Sequence, residues 1–291
     1  TFPYTLQYVF KTPYLYELKN ILLFGQGPVL SFLTLSGILL LSLHAMIKKK
    51  HGAWAKEFIL VIYFWTYFII VGSFAIGFMR YMLPVYPILC IAGAFFVSQG
   101  VSFFPSIQKK QFSIVLGSTL FLLLLTWPLS CMRIYQTTNT RIQATDWILS
   151  YIPKGSTLAI EHWDDALPLH SQANYQTLTL PLYDQDTPQK WAAIQEQLKQ
   201  TDYIILASNR LYTPLMKMTQ CRELPIGRCY TETAMYYRQL FDGTLGFTKI
   251  ADISSYPTIP FTSLEINDQA ADESFTVYDH PRIMIFKKTT T

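Results

Sequence analysis

The stretch GFMRYMLPVYP, Gly77 to Pro87, sets one arginine, Arg80, in otherwise apolar sequence. No charge occurs between Phe58 and Phe78, and the next charged residue after Arg80 is Lys109. A guanidinium is costly in lipid, and an ionisable residue kept there marks a functional site by default. It is also shaped to grip a phosphate through paired hydrogen bonds, so its chemistry would be anion binding at a membrane surface. The plainer reading is an anchor whose charged head snorkels to the headgroups. Two further clusters lie in the polar half of the chain. EHWDDALPLH gathers Glu161, His162, Asp164, Asp165 and His170 just past a strand-like run. Beyond the carboxyl end of a parallel strand, such residues suit a metal or sugar site, or simply a solvated loop with helix-capping acids. VYDHPR offers His280 as a general acid or base, or else a turn between two strands in which Asp279 bends the chain and Pro281 ends it.

The elements that must position these residues divide sharply by composition. Of 291 residues, 51% are hydrophobic and 14% charged, against about 25% charged in ordinary soluble domains. Residues 1–132 are dominated by apolar and aromatic side chains, and residues 133–291 read as a soluble domain. A bilayer core needs roughly 20 apolar residues in a helix. Segments 28–47, 58–78, 82–104 and 112–131 each provide that, predicting four spans. The first 27 residues include Phe2, Tyr4, Tyr8, Phe10, Tyr14 and Tyr16, an aromatic density suited to the headgroup level or to a connector. Lys48, Lys49, Lys50 and Lys56 lie between the first two spans, and Lys109 and Lys110 between the last two. Placed in the cytoplasm, these lysines put Arg80 and everything after Met132 on the outer side of the cell membrane. Cys221 and Cys229, eight positions apart, would close a small disulfide loop in that oxidising compartment or remain two buried thiols. No CxxC is present to suggest zinc, and no basic block to suggest nucleic acid.

In the polar half, residues 137–152 fit a helix, TLAIEHW and YQTLTLPLY fit strands, and TPQKWAAIQEQLKQ fits a Thr-capped helix with proline in its first turn. DYIILAS, FTKIADI and the terminal pair FTVYD and RIMIFKK fit further strands, with a helix around 233–241. The alternation predicts an α/β domain with a mixed sheet. GxGxxG, GxxxxGK[ST] and GxSxG are all absent from it, so nothing favours a nucleotide or hydrolase site.

Three stretches together, TPYLYELKNILLFGQGPVL, FMRYMLPVYPIL and DESFTVYDHPRIMIFKK, resemble bacterial family 39-type membrane glycosyltransferases. These are relatives of protein O-mannosyltransferases with a GT-C fold. The resemblance implies an inverting, metal-independent enzyme without a cofactor. It would move a sugar from a polyprenyl-phosphate donor to a glycan, lipid or protein acceptor at the outer membrane face. It implies carrier-phosphate binding by Arg80 and Tyr81 with Lys19, Tyr14 and Tyr16 near the donor, while belt anchoring is the other role open to the tyrosines. Two departures stand out. The family often has a lysine three positions before this arginine, where this chain has Gly77. Its catalytic carboxylate lies in the first outer loop, and in residues 1–132 the only acids are Glu17 and Glu57. Because the chain starts at Thr1, it reads as the later portion of a longer protein, inactive alone. The competing reading is a membrane-anchored outer α/β domain that binds a glycan or a protein.

Overall fold

A computed structural model describes residues 3–50, 56–102, 106–224 and 229–289. The chain forms two compact units, one helical and one α/β. Their main boundary falls between Met132 and Arg133, with two exchanges: residues up to Val9 belong to the α/β unit, and Thr258–Ile266 belong to the helical one.

Among the described residues, four long helices build the helical unit. We number them α1 (Gly27–Lys50), α2 (Lys56–Gly72), α3 (Tyr86–Ser102) and α4 (Ser106–Tyr135). Among the described residues, three helical stretches are long and apolar enough to cross a membrane: Gly27–Ile47, Met79–Ser102 and Ser113–Tyr151, which takes in α4 from Ser113 onward. The predicted second span is shorter than the sequence suggests. Its helix ends at Gly72 after 17 residues, a rise of about 25 Å at 1.5 Å per residue, and does not run on to Phe78. The segment 73–78, with Gly72 and Gly77 beside its ends, lacks regular helix, and the Tyr14 backbone N–H donates to the Gly72 carbonyl at 3.4 Å. Of the two loops predicted to be cytoplasmic, residues 51–55 and 105 lie outside the described residues, as do residues 103 and 104 at the end of the third predicted span.

α1 and α3 cross with their backbones nearly touching. A Cβ on Gly37 would sit 2.1 Å from the Ala92 carbonyl oxygen, and one on Gly93 would sit 3.3 Å from Thr34 Cγ2. Small residues at the crossing allow that approach, as in membrane helix pairs. Ile38, Leu41, Phe64, Phe68, Met82 and Val85 fill the core beside it. Apolar side chains also cover the outside: Phe32, Leu43, Ile59, Ile70, Phe121 and Leu122 are all exposed. Helices apolar all round belong in lipid.

In the α/β unit, β1 (Thr157–Glu161), β2 (Gln176–Leu180), β3 (Tyr203–Leu206), β4 (Phe247–Ile253) and β5 (Ile283–Lys288) form one sheet in the order β2-β1-β3-β5-β4. β1 is parallel to β2 and β3, while β5 is antiparallel to β3 and β4. The mixed sheet expected from the sequence is present. Helix α5 (Thr140–Tyr151) covers one face, where Ala144 and Ile148 meet Leu158, Ile205 and Ile285. Helices α6 (Pro188–Gln200) and α7 (Thr231–Asp242) cover the other, where Ile194 and Tyr237 meet Ile204 and Phe286. The Thr187 cap is as predicted, its side-chain oxygen accepting from Lys190 N–H at 3.1 Å. FTVYD is not a strand. Asp272 caps a short helix, Glu273–Thr276, by accepting from Ser274 N–H at 2.9 Å.

Residues 3–9, part of the segment suited to the headgroup level or to a connector, belong to this unit. Tyr8 is buried, its hydroxyl donating to Asp272 Oδ2 at 2.9 Å, and Gln7 Oε1 accepts from Glu273 N–H at 2.8 Å.

Candidate functional site

Arg80 lies on a 3-10 turn, Met79–Val85, that leads directly into α3. It is exposed, with its guanidinium carbon 4.2 Å from the Phe78 ring centre and 5.8 Å from that of Tyr81. Stacking on two rings holds the group by cation–π attraction while leaving its N–H edges open. Tyr81 is fixed in turn, its carbonyl accepting from the Tyr67 hydroxyl at 2.7 Å.

Beside this turn is a group that the sequence did not reveal. Lys11 Nζ donates to Glu17 Oε1 at 2.5 Å, with side chains only 4% and 2% exposed. A Cβ on Gly77 would fall 2.3 Å from that carboxylate oxygen and 2.6 Å from that ammonium. The ion pair thus fills the space beside Gly77, the position where the resemblance leads one to expect a lysine. Glu17 Oε2 is buried and has no hydrogen-bond partner among the described residues. Glu17, Asn20, Gly77, Phe78, Met82 and Tyr86 are among the residues lining a cavity of about 10 Å³, room for about one water.

The other predicted donor-site residues, Tyr14, Tyr16 and Lys19, come from one short stretch near the start of the chain. Lys19 Nζ is 5.9 Å from the Phe24 ring centre, and the Tyr16 ring centre is 5.6 Å from Lys11 Nζ. Tyr14, at φ 64, packs on Phe68 with ring centres 6.1 Å apart.

In the α/β unit, strand order reverses between β1 and β3, the place where open sheets bind ligands beyond their carboxyl ends. Glu161 ends β1, with Asp164 and Asp165 following it. Ser208 and Arg210 follow β3. These groups largely satisfy one another. Ser208 donates to Asp164 Oδ2, Arg141 forms ion pairs with Asp164 at 3.4 Å and Asp165 at 2.8 Å, and Arg210 grips Glu273 at 2.7 Å and the Trp163 carbonyl at 2.7 Å. Glu161 accepts from the Tyr237 hydroxyl. Burial pushes its carboxyl up to about 8, the Tyr237 hydrogen bond opposing and the Asp164 charge adding to the rise. His162 stacks on Trp163 at 5.0 Å, and Trp163 is 41% exposed.

The structure does not bring His280 into an open turn between strands. It is buried, its Nε2 lying 2.8 Å from Asp268 Oδ2. Arg282 from the same motif forks onto Asp252 at 2.8 and 2.6 Å and, with the hydrogen bonds of that fork foremost, holds the Asp252 carboxyl down at about 2. No group of three or more His, Cys, Asp or Glu arranged to hold a metal occurs among the described residues. Cys221 and Cys229 are joined in a disulfide, with Cα atoms 5.0 Å apart.

Lys190 was another residue missed. Its buried ammonium reaches Asp186 Oδ1 at 2.8 Å, Thr233 Oγ1 at 2.7 Å and the carbonyls of Leu182 and Asp184, fastening α6 to α7. An Asp four residues before a Lys at a helix start was the available signal. No family model, curated protein or solved structure matches this chain.

Proposed function

We propose that this chain works in a membrane glycosyltransferase that moves a sugar from a polyprenyl-phosphate donor to an acceptor at the outer membrane face. One observation carries the reading: an exposed guanidinium, held on Phe78 and Tyr81 at the foot of a membrane-length helix, next to a buried Lys11–Glu17 pair. When the bond from the sugar's anomeric carbon to the carrier phosphate breaks, negative charge gathers on the departing phosphate. Fixed donors aimed at developing charge are the largest single source of catalysis in many enzymes, and a guanidinium matches phosphate oxygens two at a time. Stacking limits the reorganisation needed when the charge forms. In this reading α1 to α4 all span, with the lysine-bearing junctions cytoplasmic, and the Cys221–Cys229 disulfide supports an oxidising outer compartment for residues 133–291.

The test is sugar transfer from a polyprenyl-phosphate donor in membranes containing the whole protein. Arg80→Ala is expected to lower kcat about 100-fold or more, the scale for losing one charge-stabilising donor, with Arg80→Lys partly active. Full activity in a normally inserted Arg80→Ala protein would sink the phosphate clamp.

A second reading is favoured by Trp163: the α/β unit as a glycan-binding domain, with an exposed indole stacked on His162 beside the switch point. Under it, Trp163→Ala abolishes glycan binding to membranes containing the protein, whereas Arg80→Ala leaves that binding intact.

A further inference from the structure

The segment Thr258–Ile266 follows the α/β strand β4 in sequence but belongs to the helical unit. No charged residue occurs between Asp252 and Glu265. Thr258 N–H donates to the Ser130 carbonyl at 3.2 Å. Ile259 and Ile266 line an apolar cavity of about 220 Å³ with Pro28, Leu30, Leu123 and Trp127. From Ser130 down to Leu123, α4 covers about 10 Å of its axis, so the loop's inner residues reach well along the span. Its other apolar residues are open: Phe261 is fully exposed and Leu264 is 63% exposed.

The loop's backbone is prepared for such a place. Lipid penalises unpaired N–H groups, and Pro257 and Pro260 have none. Ile259 N–H donates to the Leu264 carbonyl at 2.9 Å, Thr262 N–H to the Ile259 carbonyl at 3.1 Å, and Leu264 N–H to Thr262 Oγ1 at 3.2 Å. Thr258 bridges Glu265 in antiparallel fashion. Thr262, Ser263 and Glu265 are exposed beside the apolar tip, the mixed composition of a segment at the headgroups. Aromatic and leucine side chains with polar neighbours bury shallowly at that level.

We propose that residues 258–266 form a membrane-seated hairpin that inserts Phe261 and Leu264 at the headgroup–acyl boundary. Its partner is the phospholipid leaflet in which α4 ends. The lipid occupant follows from continuity: the loop lies against α4, whose neighbouring Leu122, Leu129 and Met132 are themselves exposed and apolar. The inference rests on α4 crossing the bilayer and not on sugar transfer, so the two proposals fail separately.

The experiment uses the whole chain in phospholipid nanodiscs, with Cys90→Ser and Cys131→Ser as background. Bimane is attached at Phe261→Cys, at Leu264→Cys, and at a control, Lys199→Cys, whose native side chain is 74% exposed on α6. Because both test positions are open, neither substitution removes packing. Labels at 261 and 264 are expected to be quenched by lipid spin-labelled near the headgroup and shielded several-fold from aqueous iodide relative to 199. Iodide access equal to that at 199, with no lipid quenching, overturns the proposal.

Discussion

Gly77 is the residue around which the cationic turn is built, because any side chain there meets Glu17 and Lys11. The atoms met are the tips of flexible side chains, so Gly77→Ala is expected to cost less than removing one charge of the pair. Breaking a buried ion pair from one side strands the other charge, at about 3–5 kcal/mol, whereas replacing both partners with apolar groups is often neutral. Lys11→Met should therefore destabilise strongly and Lys11→Met with Glu17→Leu far less, as read by unfolding in detergent. A loss in the double variant equal to the sum of the two single losses would show that the pair is not coupled. Arg80 was legible in the sequence because a lone charge in an apolar run stands out. Lys11 was not, since its partner and Gly77 meet it only in space. A second residue-scale prediction concerns Glu161, whose carboxyl is raised from an ordinary 4.5 to about 8 by burial. The folded state then holds a proton that the unfolded state releases. Its stabilising effect is complete below about 4.5 and is lost as pH rises through about 8. Glu161→Gln should flatten that part of a stability-versus-pH curve, and an unchanged slope would exclude Glu161 as its source.

At the scale of elements, the crossing of α1 and α3 depends on what is missing at Gly37. A Cβ there meets backbone at 2.1 Å, which no rotamer change relieves, so the helices must separate. Gly37→Leu is expected to cost several kcal/mol, at the upper end for overpacked cores (about 1–3 kcal/mol, occasionally more). Gly117→Ala on α4, where nothing lies within 4 Å, is expected to be neutral or slightly stabilising, since glycine costs a helix about 1 kcal/mol relative to alanine. Thermal unfolding of the two variants side by side tests the contrast, and a tolerated Gly37→Leu would refute the close crossing. The long apolar and capped elements were readable because burial on both sheet faces, or lipid on all sides of a helix, leaves continuous runs. The failures have local causes. FTVYD carries β-formers, yet Asp272 caps the segment and buries Thr276 and Val277 in a single helical turn. The second span was drawn through Gly72 because hydropathy does not register where a helix is stopped by a glycine and by a neighbouring chain.

For the whole molecule, composition located the division at Met132 because lipid and water select different surfaces. The two exchanged segments escaped detection for a related reason. Each is too short to carry a compositional signature, and its place is decided by a few contacts: Tyr8 and Gln7 with the Asp272–Glu273 turn in one unit, and Thr258 with Ser130 in the other. Sidedness is the property on which the functional reading most depends, because a carrier-phosphate grip at Arg80 has value only on the face where the donor is presented. The disulfide offers a direct test, since Cys221 and Cys229 lie within the residues assigned outside. In intact cells with Cys90 and Cys131 replaced by serine, an impermeant maleimide should not label the protein until an impermeant reductant opens the Cys221–Cys229 bond, and should then label both. Ala53→Cys, between α1 and α2, should stay unlabelled until the membrane is permeabilised. The reverse pattern, with position 53 reactive in intact cells and the reduced pair protected, would place residues 133–291 and Arg80 in the cytoplasm. It would remove the outer-face transfer reading while leaving the fold and the lipid-seated hairpin untouched.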